Sequence, residues 1–173
     1  MTLQKRPSRF ALALVILTPI GCSETAEPVT QNKAIKMDKT DIAIDGLVTL
    51  PSAHSAPKTV ERLKELLANK GIELFAHVDH AASAKQVGMT LRPTQVLIFG
   101  NPKAGTPLMQ SRQTIGLDLP LRALIWEDEQ GRIWLTYTRL EYLAQRHKVT
   151  NRADAVRALD AGLAALARDA TSP

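Results

Sequence analysis

His77, Asp79 and His80 fall within one four-residue stretch and form the compact set in this chain with the chemistry to hold a divalent metal or carry a proton. Two imidazoles and a carboxylate would leave a bound metal an open position; alternatively, Asp79 would orient His80 as a general base. The same residues also have a plain structural use, with Asp79 capping a short helix, His80 in its first turn and His77 half exposed on a strand. N-caps are commonplace and three ligand types over four residues arise readily by chance, so capping outweighs catalysis.

Gly100-Asn101-Pro102 is a second candidate. Glycine permits a positive φ, asparagine tolerates one and proline fixes the exit, so the three residues first of all shape a turn. The alternative is an anion site built from this turn and the start of a helix at Thr106. Asp118 and Arg122 can pair to hold the approach to the next strand, or line a cleft; exposed pairs of this kind contribute at most about 1 kcal/mol. Met109, Trp126 and Trp134 can line a pocket, although apolar residues at such spacings more often belong to a core. His147, near a helix end, suits the dipole without a catalytic role, and His54 is expected to be exposed. The sequence contains no serine-hydrolase elbow, P-loop, dinucleotide fingerprint, zinc-protease helix or repeat.

The elements that would position these residues can be read from periodicity. Asp41 to Leu50 reads as a strand with a bulge at Gly46, closed by Pro51. Ser55 then caps a helix with Pro57 in its first turn, a stripe of Val60, Leu63, Leu66 and Leu67, and Gly71 as its stop. From Ile72 to Val78 the period is two, placing Ile72, Leu74, Ala76 and Val78 on one face and Glu73, Phe75, His77 and Asp79 on the other. A short alanine-rich helix from His80 to Val87, a buried strand from Val96 to Phe99 and a short helix opening at Thr106-Pro107 and ending before Thr114 follow. Leu121 to Glu127 and Arg132 to Thr138 make an antiparallel hairpin with one tryptophan on each strand. Leu140 to His147 begins a helix, and Asn151 with Asp154 starts the last one, amphipathic through Val156, Leu159, Leu163 and Leu166, which packs on the core or faces a partner. Strand, helix, four strands with short helical insertions, then helix predicts an α+β fold with one face of an antiparallel sheet covered by helices.

The stretch from Phe75 to Met109, with Asp79-His80, Ala84 and Gly100-Asn101-Pro102, resembles the core of the domain of unknown function 302 family, as does Leu117-Asp118-Leu119-Pro120-Leu121-Arg122. The resemblance covers roughly residues 46 to 147, and His77 is not part of the matching pattern. It implies a curved antiparallel sheet gripping a helix, frequent pairing into homodimers and, if a site exists, Asp79 and His80 as members of it. It names no substrate, and the cofactor is unknown.

The first residues carry an address. Lys5, Arg6 and Arg9 precede an uncharged apolar run from Phe10 to Ile20, which is shorter than the 20 or so residues a bilayer span needs and reads as an export signal. Cys22, the sole cysteine, stands after Gly21 where a lipoprotein precursor is cut and lipidated, although Pro19 replaces the leucine such a site leads one to expect. Lipidation is placed ahead of simple cleavage after Ser23. Ser23, in place of the aspartate of an inner-membrane retention signal, favours a periplasm-facing outer-membrane address in a bacterium with two membranes. Residues 1–22 are thus the signal, 23–40 a flexible tether, 41–149 the folded domain and 150–173 a C-terminal helix and tail. Three of the 22 Lys and Arg residues lie in the signal and all 17 acids beyond it, so the net charge of +5 falls to +2. With neither a basic stripe nor interleaved aromatics, nucleic acid is excluded as a partner. No second cysteine permits an internal disulfide, and about 110 residues suffice for one hydrophobic core.

The resulting expectation is a non-enzymatic, lipid-anchored domain that binds a small ligand, a metal or an envelope protein at a cleft near Asp79, His80 and Asn101. An enzyme or metal-dependent accessory using Asp79 and His80, and a purely structural dimer module, are the alternatives.

Overall fold

A computed structural model describes residues 46–173. The signal, Cys22, the tether and the expected strand start at Asp41 lie outside the described residues. Five strands, β1 (Leu47–Pro51), β2 (Glu73–Asp79), β3 (Thr94–Gly100), β4 (Leu121–Glu127) and β5 (Ile133–Thr138), form one sheet in the order β1-β5-β4-β3-β2. Every neighbouring pair is antiparallel. Helices α1 (Ala56–Asn69), α2 (His80–Gln86), α3 (Pro102–Ser111), α4 (Leu140–Arg146) and α5 (Ala153–Thr171) complete an α+β fold, with a 3₁₀ turn at Gln113–Leu117.

The main core lies between one sheet face and the pair α1 and α5. Leu97, Phe99, Ala123, Ile125, Leu135 and Tyr137 from the strands meet Val60, Leu63 and Leu67 of α1 and Leu163, Leu166 and Ala170 of α5. The last helix therefore belongs to the core rather than standing apart from it. A second cluster ties Leu108 of α3 and Ile115 to Leu140, Leu143 and Val156.

Local signals account for most helix ends. α1 closes in a Schellman arrangement, with Ile72 N–H donating to Leu67 C=O and Gly71 N–H to Ala68 C=O while Gly71 takes φ +62°. At the other end Ser55 occupies the cap position, but its side chain makes no capping bond; its carbonyl instead accepts from Thr59 N–H and Thr59 Oγ1.

Several boundaries differ from the sequence reading. Among the described residues β1 begins at Leu47, and Gly46, where the bulge was expected, takes φ +78°. The register of β2 shifts between Leu74 and Ala76, a bulge at Phe75 that interrupts the expected alternation. Leu74 pairs with Phe99 and His77 with Leu97 on the helix-covered face, whereas Ala76 and Val78 pair with Ile98 and Val96 on the other. α3 opens at Pro102, not Thr106, because Asn101 supplies the cap: its Oδ1 accepts from Lys103 N–H at 2.9 Å. α5 begins without a side-chain cap, since Asn151 Oδ1 is taken by Ser111 Oγ.

Candidate functional site

At the Gly100 end of the sheet, a cavity of about 400 Å³ opens between the strand ends, α3 and α5. Its walls are mainly apolar, including Phe99, Leu108, Leu121, Leu163 and Leu166, and among the described residues Lys70 is the single charged one lining it. Three glycines keep the space open. A Cβ on Gly162 would meet nothing within 4 Å, and those on Gly100 and Gly105 would make only ordinary contacts, the nearest at 3.5 and 3.8 Å. The bulge in β2 brings Phe75 to this cavity, 3.6 Å from where a Gly100 Cβ would stand, as bulges commonly re-aim a side chain. Phe75 and the α5 residues were missed by reading the sequence, because the first depends on a register slip and the second on how a distant helix packs.

Across α3 lies an open groove lined by Arg112, Thr114, Arg146, His147 and Lys148 among others, with no acidic residue in its wall among the described residues. His147, at the C-terminal end of α4, accepts or donates at both ring nitrogens: Nε2 lies 2.7 Å from Asp118 Oδ2 and Nδ1 3.1 Å from Thr114 Oγ1. Arg146 reaches the same carboxylate at 3.2 Å. The groups form a chain that fastens the 3₁₀ turn to α4. Arg112, which lines the groove, donates through Nε to Lys148 C=O at 3.2 Å.

The expected site residues do not converge. Asp79 and Asn101 stand at opposite ends of the β2–β3 pair, since Asp79 is opposite Gln95 and Glu73 opposite Gly100; six residues of strand separate the ends by about 20 Å. The cleft expected near Asp79, His80 and Asn101 is therefore not formed. Asp79 serves as the cap of α2, its Oδ1 accepting from Ala82 N–H at 2.9 Å, and His80 is exposed in the first turn. His77 turns to Lys64 Nζ at 3.1 Å and Gln95 Oε1 at 2.7 Å. Among the described residues no three His, Cys, Asp or Glu gather to hold a metal, so His77, Asp79 and His80 do not assemble the expected ligand set. Gly100 and Asn101 do reach the apolar cavity. Asp118 and Arg122 do not pair: the carboxylate is held by Arg146 and His147, while Arg122 donates to Leu117 C=O at 3.2 Å. Trp126 and Trp134 sit opposite each other on the outer sheet face, centroids 6.3 Å apart, away from the cavity. His54, expected to be exposed, is half-buried and has its Nε2 2.7 Å from Ser172 C=O.

Comparison with known proteins adds a frame to this geometry. The family model described as domain of unknown function DUF302 matches residues 48–166. A crystal structure of an uncharacterized conserved DUF302 protein from Bacillus stearothermophilus has the same fold at a TM-score of 0.67, with 17% identity over 74% of this chain and 99% of that one. Two curated relatives, from Brucella suis and Brucella abortus, are each 49% identical over 118 residues, or 68% of this chain, and both are named Fluoride-specific ion channel FluC 1. The chain spans under half of their length, 46% and 44%.

Proposed function

Because this chain belongs to the DUF302 family, whose description settles no activity, we propose that it is a binding domain that takes a small, largely apolar ligand into the cavity between the sheet, α3 and α5. The observation that carries this reading is the cavity itself. About 400 Å³ of space walled by apolar side chains lies within the range of small-molecule sites, and three glycines line it. This reading puts the site at Gly100 and Asn101, while Asp79 caps α2 at the far end of the strands with exposed His80 beside it.

Decanol is a suitable first probe, followed by calorimetry or chemical-shift changes on the full chain. Saturable binding is expected, and Gly162→Leu should abolish it while leaving the fold intact, since the added side chain enters open space and replaces a glycine within a helix. Absence of saturable binding, or binding undisturbed by Gly162→Leu, would sink the reading.

The names of the Brucella relatives speak of fluoride channels. The 118 aligned residues must fall mostly within 46–173, where no helix is long and apolar enough to cross a membrane. The shared part is therefore read as a domain that works beside such a channel rather than as its pore. An exported address, with lipid on Cys22 and residues 23–40 as tether, remains part of this proposal and predicts an acylated N-terminal peptide that disappears in Cys22→Ser.

A second reading, a homodimer, is favoured by the sheet face turned away from the helices. Val96, Ile98, Leu124 and the stacked pair Trp126 and Trp134 lie there, outside both core clusters. Sedimentation should then show a dimer that Trp134→Glu dissociates; a monomer at all concentrations would discard it.

A further inference from the structure

Thr106 and Met109 line both the apolar cavity and the basic groove, so the two are neighbours across one edge of α3. Of the two residues shared by both walls, Met109 has the longer side chain. A Cβ on Gly116 would lie 3.4 Å from Met109 Sδ and one on Gly105 4.0 Å from Met109 Cε, so the thioether runs close to two glycines while Met109 also packs against the second core cluster. Met is unbranched and changes rotamer at low cost, the property a movable divider requires.

The charge on the two sides of that divider is one-sided. Among the described residues no aspartate or glutamate lines either space. Asp118 is engaged by Arg146 and His147 of the groove wall. Among the described residues the Arg112 side chain bonds through Nε alone, so its terminal nitrogens are left for an oxyanion in the fork geometry that guanidinium offers, and Lys148 lines the same groove as a second cation. Its position is set by an unusual backbone: Lys148 takes φ +57° after the end of α4, with its N–H bonded to Gln145 C=O and Val149 N–H to Ala144 C=O.

We propose that cavity and groove form one site for an anionic amphiphile, an unbranched acyl or alkyl chain lying in the apolar cavity past Met109 with its carboxylate or phosphate head held by Arg112 and Lys148. This rests on the cavity reading above and names the ligand class that the same site takes. A neutral chain satisfies the cavity but leaves the two cations without a partner; a bare anion satisfies the groove and leaves the cavity unused. Lys70 opens onto the cavity elsewhere in its wall and is the competing place for the head.

The test compares decanoate, decyl phosphate and decanol on the full chain by calorimetry. Both anions are expected to bind about tenfold or more tighter than decanol, and the advantage should shrink as salt is raised. In Arg112→Ala/Lys148→Ala the anions should fall to the level of decanol, whose own affinity should not move. Decanoate favoured over decyl phosphate, or the reverse, would tell a fatty-acid-like ligand from a phospholipid-like one. Equal binding of anions and decanol, a preference that survives the double substitution, or one removed by Lys70→Ala alone would overturn the proposal while leaving the apolar cavity as a site. Binding of none of the three would overturn both.

Discussion

Two glycines illustrate opposite constraints on single positions. Gly46 has φ +78°, and a Cβ there would stand 2.2 Å from the Tyr142 ring, so both backbone and packing demand glycine. Gly46→Ala is expected to destabilise the protein by about 1–3 kcal/mol, through a left-handed residue with a side chain and an overpacked contact. Denaturant unfolding checks this, and Tyr142→Ala in the same chain should recover only the ring's share of the loss, since the Cβ of residue 142 would still lie 2.6 Å from the new one and the backbone part would remain. Gly162 is the reverse case. It lies within α5 with open space at its Cβ, so Gly162→Ala should raise the melting temperature, by an amount corresponding to about 0.5–1 kcal/mol. A glycine that costs helix stability and yet lines a cavity is what a ligand site in a helix wall requires.

The β4–β5 hairpin is fastened by one carboxylate. Asp128 accepts from Gln130 N–H and Arg132 N–H, each at 2.9 Å, from the Arg132 guanidinium at 2.7 Å and from Trp134 Nε1 at 2.8 Å. Burial pushes the carboxyl up, but the bonds from Trp134, Arg132 and Gln130 outweigh it and hold the pKa at about 2, against 3.8 for the free group. Because the folded value is the lower one, the stabilisation is fully present above about pH 4 and is lost as the pH falls through about 2. Urea unfolding across that window should therefore show wild type losing more stability on acidification than Asp128→Asn; equal losses would discard the assignment. Arg132 also lies over the Trp134 ring at 5.1 Å, which joins the turn to the outer tryptophan pair. Helix α4 is held from outside itself: Asp160 of α5 accepts from Leu140 N–H at 2.6 Å, a cap provided by a residue 20 positions away.

The molecule closes on its last helix. α5 contributes Leu163, Leu166, Ala167 and Ala170 to the main core, and its C-terminal end is held by Ala53 N–H on Thr171 C=O and by Arg62 on the carbonyls of Asp169 and Ser172. Arg62 also sits favourably at the negative end of the helix dipole. A chain ending at Arg152 is thus expected to lose cooperative folding rather than yield a shorter stable domain, and near-UV circular dichroism with limited proteolysis would tell the two apart. The same helix walls the cavity, so core and candidate site depend on one element.

Local chemistry made much of this legible. The α1 stripe and its Gly71 stop, the Asp79 cap and the hairpin with its facing tryptophans follow from residue types over a few positions, because hydrogen bonding and periodicity within one turn decide them. So did the α+β order of elements and the family resemblance. The candidate site was legible only in Gly100 and Asn101. The slip at Phe75 reverses which half of β2 faces the core, and no local signal in Ile72–Asp79 marks it, since either alternation buries apolar side chains. Asp118 found its partners in Arg146 and His147, 28 and 29 residues on, instead of in nearby Arg122. Sequence alone determined the elements and their ends; the tertiary structure decided the cavity, the basic groove beside it and the partners of Asp118, because each of these is set by the packing of segments far apart in the chain.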